Sequence, residues 1–271
     1  MARVAANQDS AEAVRAHYVY IQHARVSSHK GKKIMCEETT DSRVTPADKG
    51  SHQQLLKLDG RLLQKGKYTA YTELPKSNGA SGVTEDHDLN ISVGDDDSDR
   101  DLVENMRHNL IDTSSKDGIG ANLFPLTTKQ QADEVFTLIG REHINGRDVF
   151  HITFRPKDKD DFGWRGDAYI DTAAYQPVLV RTAMSRNIPF AVRTLLGTNV
   201  PGLGFTVIYA PQADGVWFPI SFGTEFKIHV LFFFRREITL SAENRDFEKT
   251  HVTSHILDGV AATDTSPVKQ P

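Results

Sequence analysis

The 271-residue chain has one cysteine, no apolar run longer than five residues and no excess of positive charge. Each absence excludes something. A single thiol, Cys36, cannot close an intramolecular disulfide, so the fold must be held by its core, in either a reducing or an oxidising compartment. The segment Ile34-Met35-Cys36-Glu37-Glu38-Thr39-Thr40 reads as strand, and Cys36 in it reads as a small buried apolar residue rather than a nucleophile. The longest apolar run, Val230-Leu231-Phe232-Phe233-Phe234, falls far short of the roughly 20 residues a membrane-spanning helix needs. A net charge of -4 gives no general attraction to nucleic acid or to an anionic membrane. Lys30, Lys32 and Lys33 form a short basic cluster in an expected turn, too small to reverse this locally. Met1 to Ser10 lacks the apolar stretch of an export signal, which leaves a cytoplasmic protein and a mature exported one both open.

Sequence signatures of catalysis are missing as well. There is no phosphate-binding loop, and the glycines between Gly197 and Gly204 enclose Pro201 in no βαβ context. No His-Glu-x-x-His or Cys-x-x-Cys occurs. Ser221-Phe222-Gly223 lacks the leading glycine of a nucleophile elbow. The eleven histidines are scattered; His17, His23 and His29 recur at a six-residue spacing that suits no shared metal. Asp167 and Asp171 have turn and solvent explanations. The expectation is no catalytic residue, no metal and no cofactor.

With 38% hydrophobic and 25% charged residues, the chain has the balance of a globular domain. Asp9 or Ser10 is expected to cap a short helix over Ala11 to Tyr18, giving way to strand by Ser27. Strands follow around Ile34 to Val44 and Gln53 to Gln64, the latter expected to break at Asp59-Gly60. The stretch 76–100, with Ser77-Asn78-Gly79-Ala80-Ser81-Gly82 and Asp95-Asp96-Asp97-Ser98-Asp99, reads as an acidic, mobile loop whose spacing fits no EF-hand. Ser98 then opens a helix to Ile111, with Leu102, Val103, Met106 and Leu110 at helical spacing.

From Phe124 the apolar period changes to two. Asn145-Gly146 between apolar runs is a strong signal for a type I′ hairpin, pairing Ile144 with Arg147 and His143 with Asp148. Phe150, Ile152 and Phe154 share one face of the return strand. Further hairpins are expected over Gly166 to Asp171 with Pro177 to Met184, and over Phe205 to Ala210 with Val216 to Phe222. Phe222 to Phe234 reads as one long strand, followed by Ile238 to Ser241 and Phe247 to His255. Consecutive hairpins build an antiparallel meander whose apolar face the helices must cover. The fold class is mainly β (α+β), in one domain over 1–260 with a polar tail over 261–271.

Gly163-Trp164-Arg165-Gly166-Asp167-Ala168-Tyr169-Ile170-Asp171 with Gln176-Pro177-Val178, the turn Gly215-Val216-Trp217-Phe218-Pro219, and Asn244-Arg245-Asp246-Phe247 together resemble hairpin and turn signatures of the LolA/LolB-like superfamily of periplasmic lipoprotein carriers. The resemblance spans Ala11 to Phe247. It implies a strongly curved antiparallel sheet forming an unclosed half-barrel, with helices on its concave side. It implies export to the periplasm of a Gram-negative bacterium and an apolar cavity that accepts acyl chains.

Aromatic residues crowd the strands, and most belong to the core. Some are expected to line a cavity, because a curved sheet need not fill its interior. Trp164, Trp217, Phe222 and Phe226 are the candidates on strands. The apolar segment Asn187 to Leu203 is the candidate lid, through Phe190, Val192, Leu195, Leu196 and Leu203. The expected partner is a lipid or a lipoprotein; the alternative is an envelope protein docked on the same fold with its cavity filled.

Overall fold

A computed structural model describes residues 1–72, 98–108, 110–119, 126–158, 164–184, 204–230 and 234–250. The chain runs α1 (Ala2–Arg15), β1 (Tyr18–Lys30), β2 (Lys33–Pro46), β3 (Ser51–Gln64), β4 (Lys67–Tyr71), α2 (Ser98–His108), α3 (Thr128–Gln131), β5 (Glu134–Ile144), β6 (Arg147–Pro156), β7 (Trp164–Asp171), β8 (Pro177–Met184), β9 (Gly204–Pro211), β10 (Trp217–Val230) and β11 (Phe234–Lys249). All eleven strands form one sheet, in the order β4-β3-β2-β1-β11-β10-β9-β8-β7-β6-β5. Every pairing is antiparallel. The end strands β4 and β5 do not pair with each other, so the half-barrel stays open. Two meanders, β1–β4 and β5–β11, are joined where β1 lies beside β11, from Tyr18↔Lys249 to His29↔Glu237.

Local chemistry explains the hairpins. Asn145 and Gly146 both take positive φ (51° and 76°), as a type I′ turn requires, and the register pairs Ile144 with Arg147 and His143 with Asp148. Register shifts interrupt several ladders, including Asp41/Ser42, Leu138/Gly140, Tyr169/Ile170 and Pro219/Ser221. Such bulges bend a strand and increase its twist, which curves a long sheet. At Gly166 a Cβ would lie 1.8 Å from the Arg181 carbonyl oxygen, so only glycine lets β7 come this close to β8.

One face of the sheet carries two cores. On β6–β9, Ile152, Phe154, Ala168, Ile170, Val180, Val207 and Tyr209 pack with Val4 of α1 and with Leu126. On β1–β3 and β11, Val26, Cys36, Leu62, Ile238 and Leu240 pack with Leu102 and Val103 of α2. Phe222 touches both cores, so the two helices cover the same face.

Four expectations are corrected. Helix α1 begins at Ala2, not after a cap at Asp9 or Ser10. Asp9 does serve a helix N-terminus, but that of α3: its carboxylate accepts from the Thr128 N–H (2.9 Å) and hydroxyl (2.5 Å). Strand β3 runs unbroken through Asp59-Gly60, since Gly60 provides room for the Tyr71 ring of β4. Phe222 to Phe234 is not one strand: β10 ends at Val230, and Phe234 pairs back with it on β11. Phe247 does not open a further strand but lies within the continuous β11, packed against Phe218 and Tyr20. The polar tail and residues beyond 250 lie outside the described residues, as do 73–97 of the acidic stretch; its last three residues are the start of α2.

Candidate functional site

A row of partly exposed aromatic rings packs on the β6–β9 core and reaches the second core through Phe222. Trp164 opens β7 and meets Phe205 of β9 edge-to-face, with ring centroids 5.3 Å apart. Phe205 stacks on Phe222 of β10 at 5.2 Å. All three are partly buried and pack against the β6–β9 core. Backbone contacts fix the start of β9 that carries Phe205. Its N–H donates to Thr182 Oγ1 at 3.2 Å, and the Thr224 hydroxyl donates to the Gly204 carbonyl. The row therefore crosses β7, β9 and β10 on a rigid sheet, with its rings held by neighbouring strands.

The expected residues fall into three groups. Trp164 and Phe222 are brought together. Trp217 packs against the same core but outside the stacked row: it lies beyond the Pro219/Ser221 register shift, with the Arg147 guanidinium 4.9 Å above its ring. Phe226 sits on β10 opposite Ile238, but its side chain is outside the described residues, as are Phe190, Val192, Leu195, Leu196 and Leu203 of the expected lid. Phe205, which begins the expected strand Phe205 to Ala210, is not among the expected site residues, yet it links the other two. The signal that could have found it is its position at the start of β9, directly after the apolar lid candidate.

Sequence reading also missed the charged residues that seat α2 beside this row. Asp99 accepts two hydrogen bonds from Arg236 of β11 (2.6 and 2.7 Å) and one from the Ser28 hydroxyl (2.6 Å). Arg107 pairs with Glu38 of β2 at 2.8 Å, both nearly inaccessible to solvent. Tyr71 donates to the other Glu38 oxygen at 2.7 Å. Burial pushes the Glu38 carboxyl above the usual carboxylate range, and Arg107 opposes that shift. At the opposite end, Arg15 of α1 donates to Asp117 at 2.7 Å in a buried pair, and Tyr20 donates to the Asp117 carbonyl.

Two reactive side chains among the described residues are held in structural roles. Burial pushes the Cys36 thiol up to about 12, which keeps it protonated. His151 has carboxylates on both ring nitrogens, Glu142 at 2.6 Å and Asp167 at 2.7 Å, and stacks on Tyr169. Hydrogen bonding to Asp167 is the largest cause of its raised pKa. An imidazole engaged at both nitrogens has no free lone pair to act as a base. Among the described residues no three His, Cys, Asp or Glu side chains converge as a metal site. No helix among those residues is long and apolar enough to cross a membrane.

No protein-family model matches the chain, and no curated protein matches it. Solved structures do. A LolA superfamily protein from Nitrosomonas europaea matches 92% of this chain and 93% of its own, at 10% identity and a TM-score of 0.37. A Vibrio parahaemolyticus domain described as an outer membrane lipoprotein-sorting protein domain matches 90% of each chain, at 12% identity and a TM-score of 0.36. A DUF1329 family protein from Desulfovibrio piger matches 93% of this chain and 95% of its own, at 11% identity and a TM-score of 0.35. All three matches run over nearly the whole chain, at 10 to 12% identity and TM-scores of 0.35 to 0.37.

Proposed function

We propose that this chain is a non-enzymatic, periplasmic cell-envelope protein that binds an apolar ligand, the acyl chains of a lipid or lipoprotein, on the helix-covered face of its half-barrel. The observation that carries the reading is the Trp164–Phe205–Phe222 row: three large rings, only partly buried, aligned across strands on the β6–β9 core. Partly exposed aromatic surface in a concavity is the feature that lipid burial would complete. An acyl chain that covers about 60 Å² more of one such ring contributes about 1.5 kcal/mol at roughly 25 cal/mol per Å². That is roughly a tenfold change in Kd per ring.

The test is native mass spectrometry and solvent extraction of the purified protein, with titration of a fluorescent fatty acid. Bound lipid and saturable binding are expected. Trp164→Ala should weaken binding about tenfold, and the indole fluorescence should shift to the blue on binding in the Trp217→Phe background. Absence of both extracted lipid and saturable binding, in protein whose unfolding is cooperative, refutes the proposal. Fractionation of cells expressing the natural gene tests the periplasmic location.

A further inference from the structure

The two ends of the open sheet differ. Strand β4 is a short edge of five residues, and short edges resist pairing with other chains. Strand β5 is an eleven-residue edge whose outer side has no partner strand among the described residues. At its centre are two of the most exposed large apolar side chains of the described residues, Leu138 at 61% and Ile139 at 56%. Both lie at the register shift between Leu138 and Gly140, so the middle of this edge is apolar.

The register shift between Leu138 and Gly140 sets which residues of this edge face outward on either side of it. In an antiparallel ladder, successive residues alternate between pointing their N–H and C=O groups at the partner and away from it. Ile144 and Arg147 flank the two-residue turn and bond to each other, so His143 and Arg141 present their backbone groups outward. The extra residue at the bulge reverses that parity, so Leu138, Phe136 and Glu134 also point outward. The side chains follow the same reversal. Phe136 pairs with Phe154 and Arg141 lies over Phe150, and both of those phenylalanines pack in one core.

We infer that β5 pairs antiparallel with β5 of a second copy, about a two-fold axis between Leu138 and Ile139, to make a dimer with one continuous sheet. This register sets Glu134 opposite His143 of the second copy and Phe136 opposite Arg141 of the second copy, twice each. All four residues present outward backbone groups. A shift of one residue would set an outward position against an inward one and lose the ladder. Charge fits the same register: Glu134 is only partly buried, and the residue set opposite it, His143, is paired with Asp148 at 2.9 Å. In the dimer each His143 would lie between Asp148 of its own chain and Glu134 of the other. The inference does not depend on the lipid-binding proposal.

The oligomeric state of the full chain tests it, by light scattering after gel filtration and by sedimentation. The expected mass is that of a dimer, halved in Leu138→Lys and in Ile139→Lys with melting temperatures unchanged. A wild-type monomer at hundreds of micromolar, or a dimer that survives both substitutions, overturns the proposal. Register is read separately by oxidising Glu134→Cys/His143→Cys. These positions are nine residues apart on one strand, about 30 Å, so they cannot bond within a chain, and the buried Cys36 does not compete. A covalent dimer is expected for this pair. None is expected for Glu134→Cys/Glu142→Cys, whose register is one residue out; the reverse pattern overturns the assignment.

Discussion

Substituting Asp99 tests how α2 is held on the sheet. Leu102 and Val103 are fully buried against the β1–β3 core, but the ends of the helix are seated by charge. The Asp99 carboxylate receives the Arg236 fork and the Ser28 hydroxyl, with the two charged side chains only 9% and 11% exposed. In Asp99→Ala the Arg236 guanidinium stays largely buried and loses its carboxylate. Breaking one partner of such a pair costs about 3–5 kcal/mol. Loss of a negative side chain from the first turn of a helix adds about 0.3–1 kcal/mol. A total near 4 kcal/mol, at roughly 2–4 °C per kcal/mol for a domain of this general size, lowers Tm by about 10 °C. The assay is urea unfolding followed by far-ultraviolet circular dichroism, with calorimetry in parallel. The double variant Asp99→Ala/Arg236→Met should recover much of the loss, because replacing both charges by apolar groups removes the buried cation along with its carboxylate. A loss below about 1 kcal/mol in the single variant, or strict additivity in the double, would refute the reasoning that the pair is desolvated and coupled.

Three further outcomes are expected. The His151 pKa is raised above its ordinary value by Asp167 and Glu142, so its contribution to stability is full below the unfolded value of about 6.5 and is lost as pH rises through the folded value. The urea midpoint of the wild type relative to His151→Gln should therefore fall across that window; equal midpoints at all pH values would contradict the ion cluster. Gly166→Ala places a Cβ 1.8 Å from the Arg181 carbonyl oxygen, so β7 and β8 must separate; a loss of at least about 2 kcal/mol is expected, and an unchanged denaturation midpoint would show that the strands can shift freely. Gly146 has φ 76° with open space around it, so Gly146→Ala should cost about 1 kcal/mol through backbone strain alone, with the hairpin register retained in amide exchange.

The hairpins were legible because their determinants are local. Asn145-Gly146 and Ala213-Asp214-Gly215 are turn sequences flanked by alternating strands, and β5 to β9 lie close to where that alternation places them. Helix α2 was legible from the spacing of Leu102, Val103 and Met106. The reversal between Val230 and Phe234 was not, because Leu231-Phe232-Phe233 contains no glycine, proline or asparagine, and an apolar run reads as strand interior. The candidate site was half legible. Trp164 and Phe222 could be named as large rings on strands, but their alignment through Phe205 depends on the order of β7, β8, β9 and β10.

By itself, the sequence determined the fold class, the series of hairpins and the absence of the usual catalytic motifs, since each follows from side chains within about ten residues of one another. Tertiary structure alone decided that β1 joins β11, that Asp99 meets Arg236 across 137 positions, and which rings stay partly exposed on the β6–β9 core. Those contacts join parts of the chain that sequence spacing does not relate. Whether two such residues meet depends on the register, bulges and curvature of the whole sheet, which short-range patterns leave unspecified.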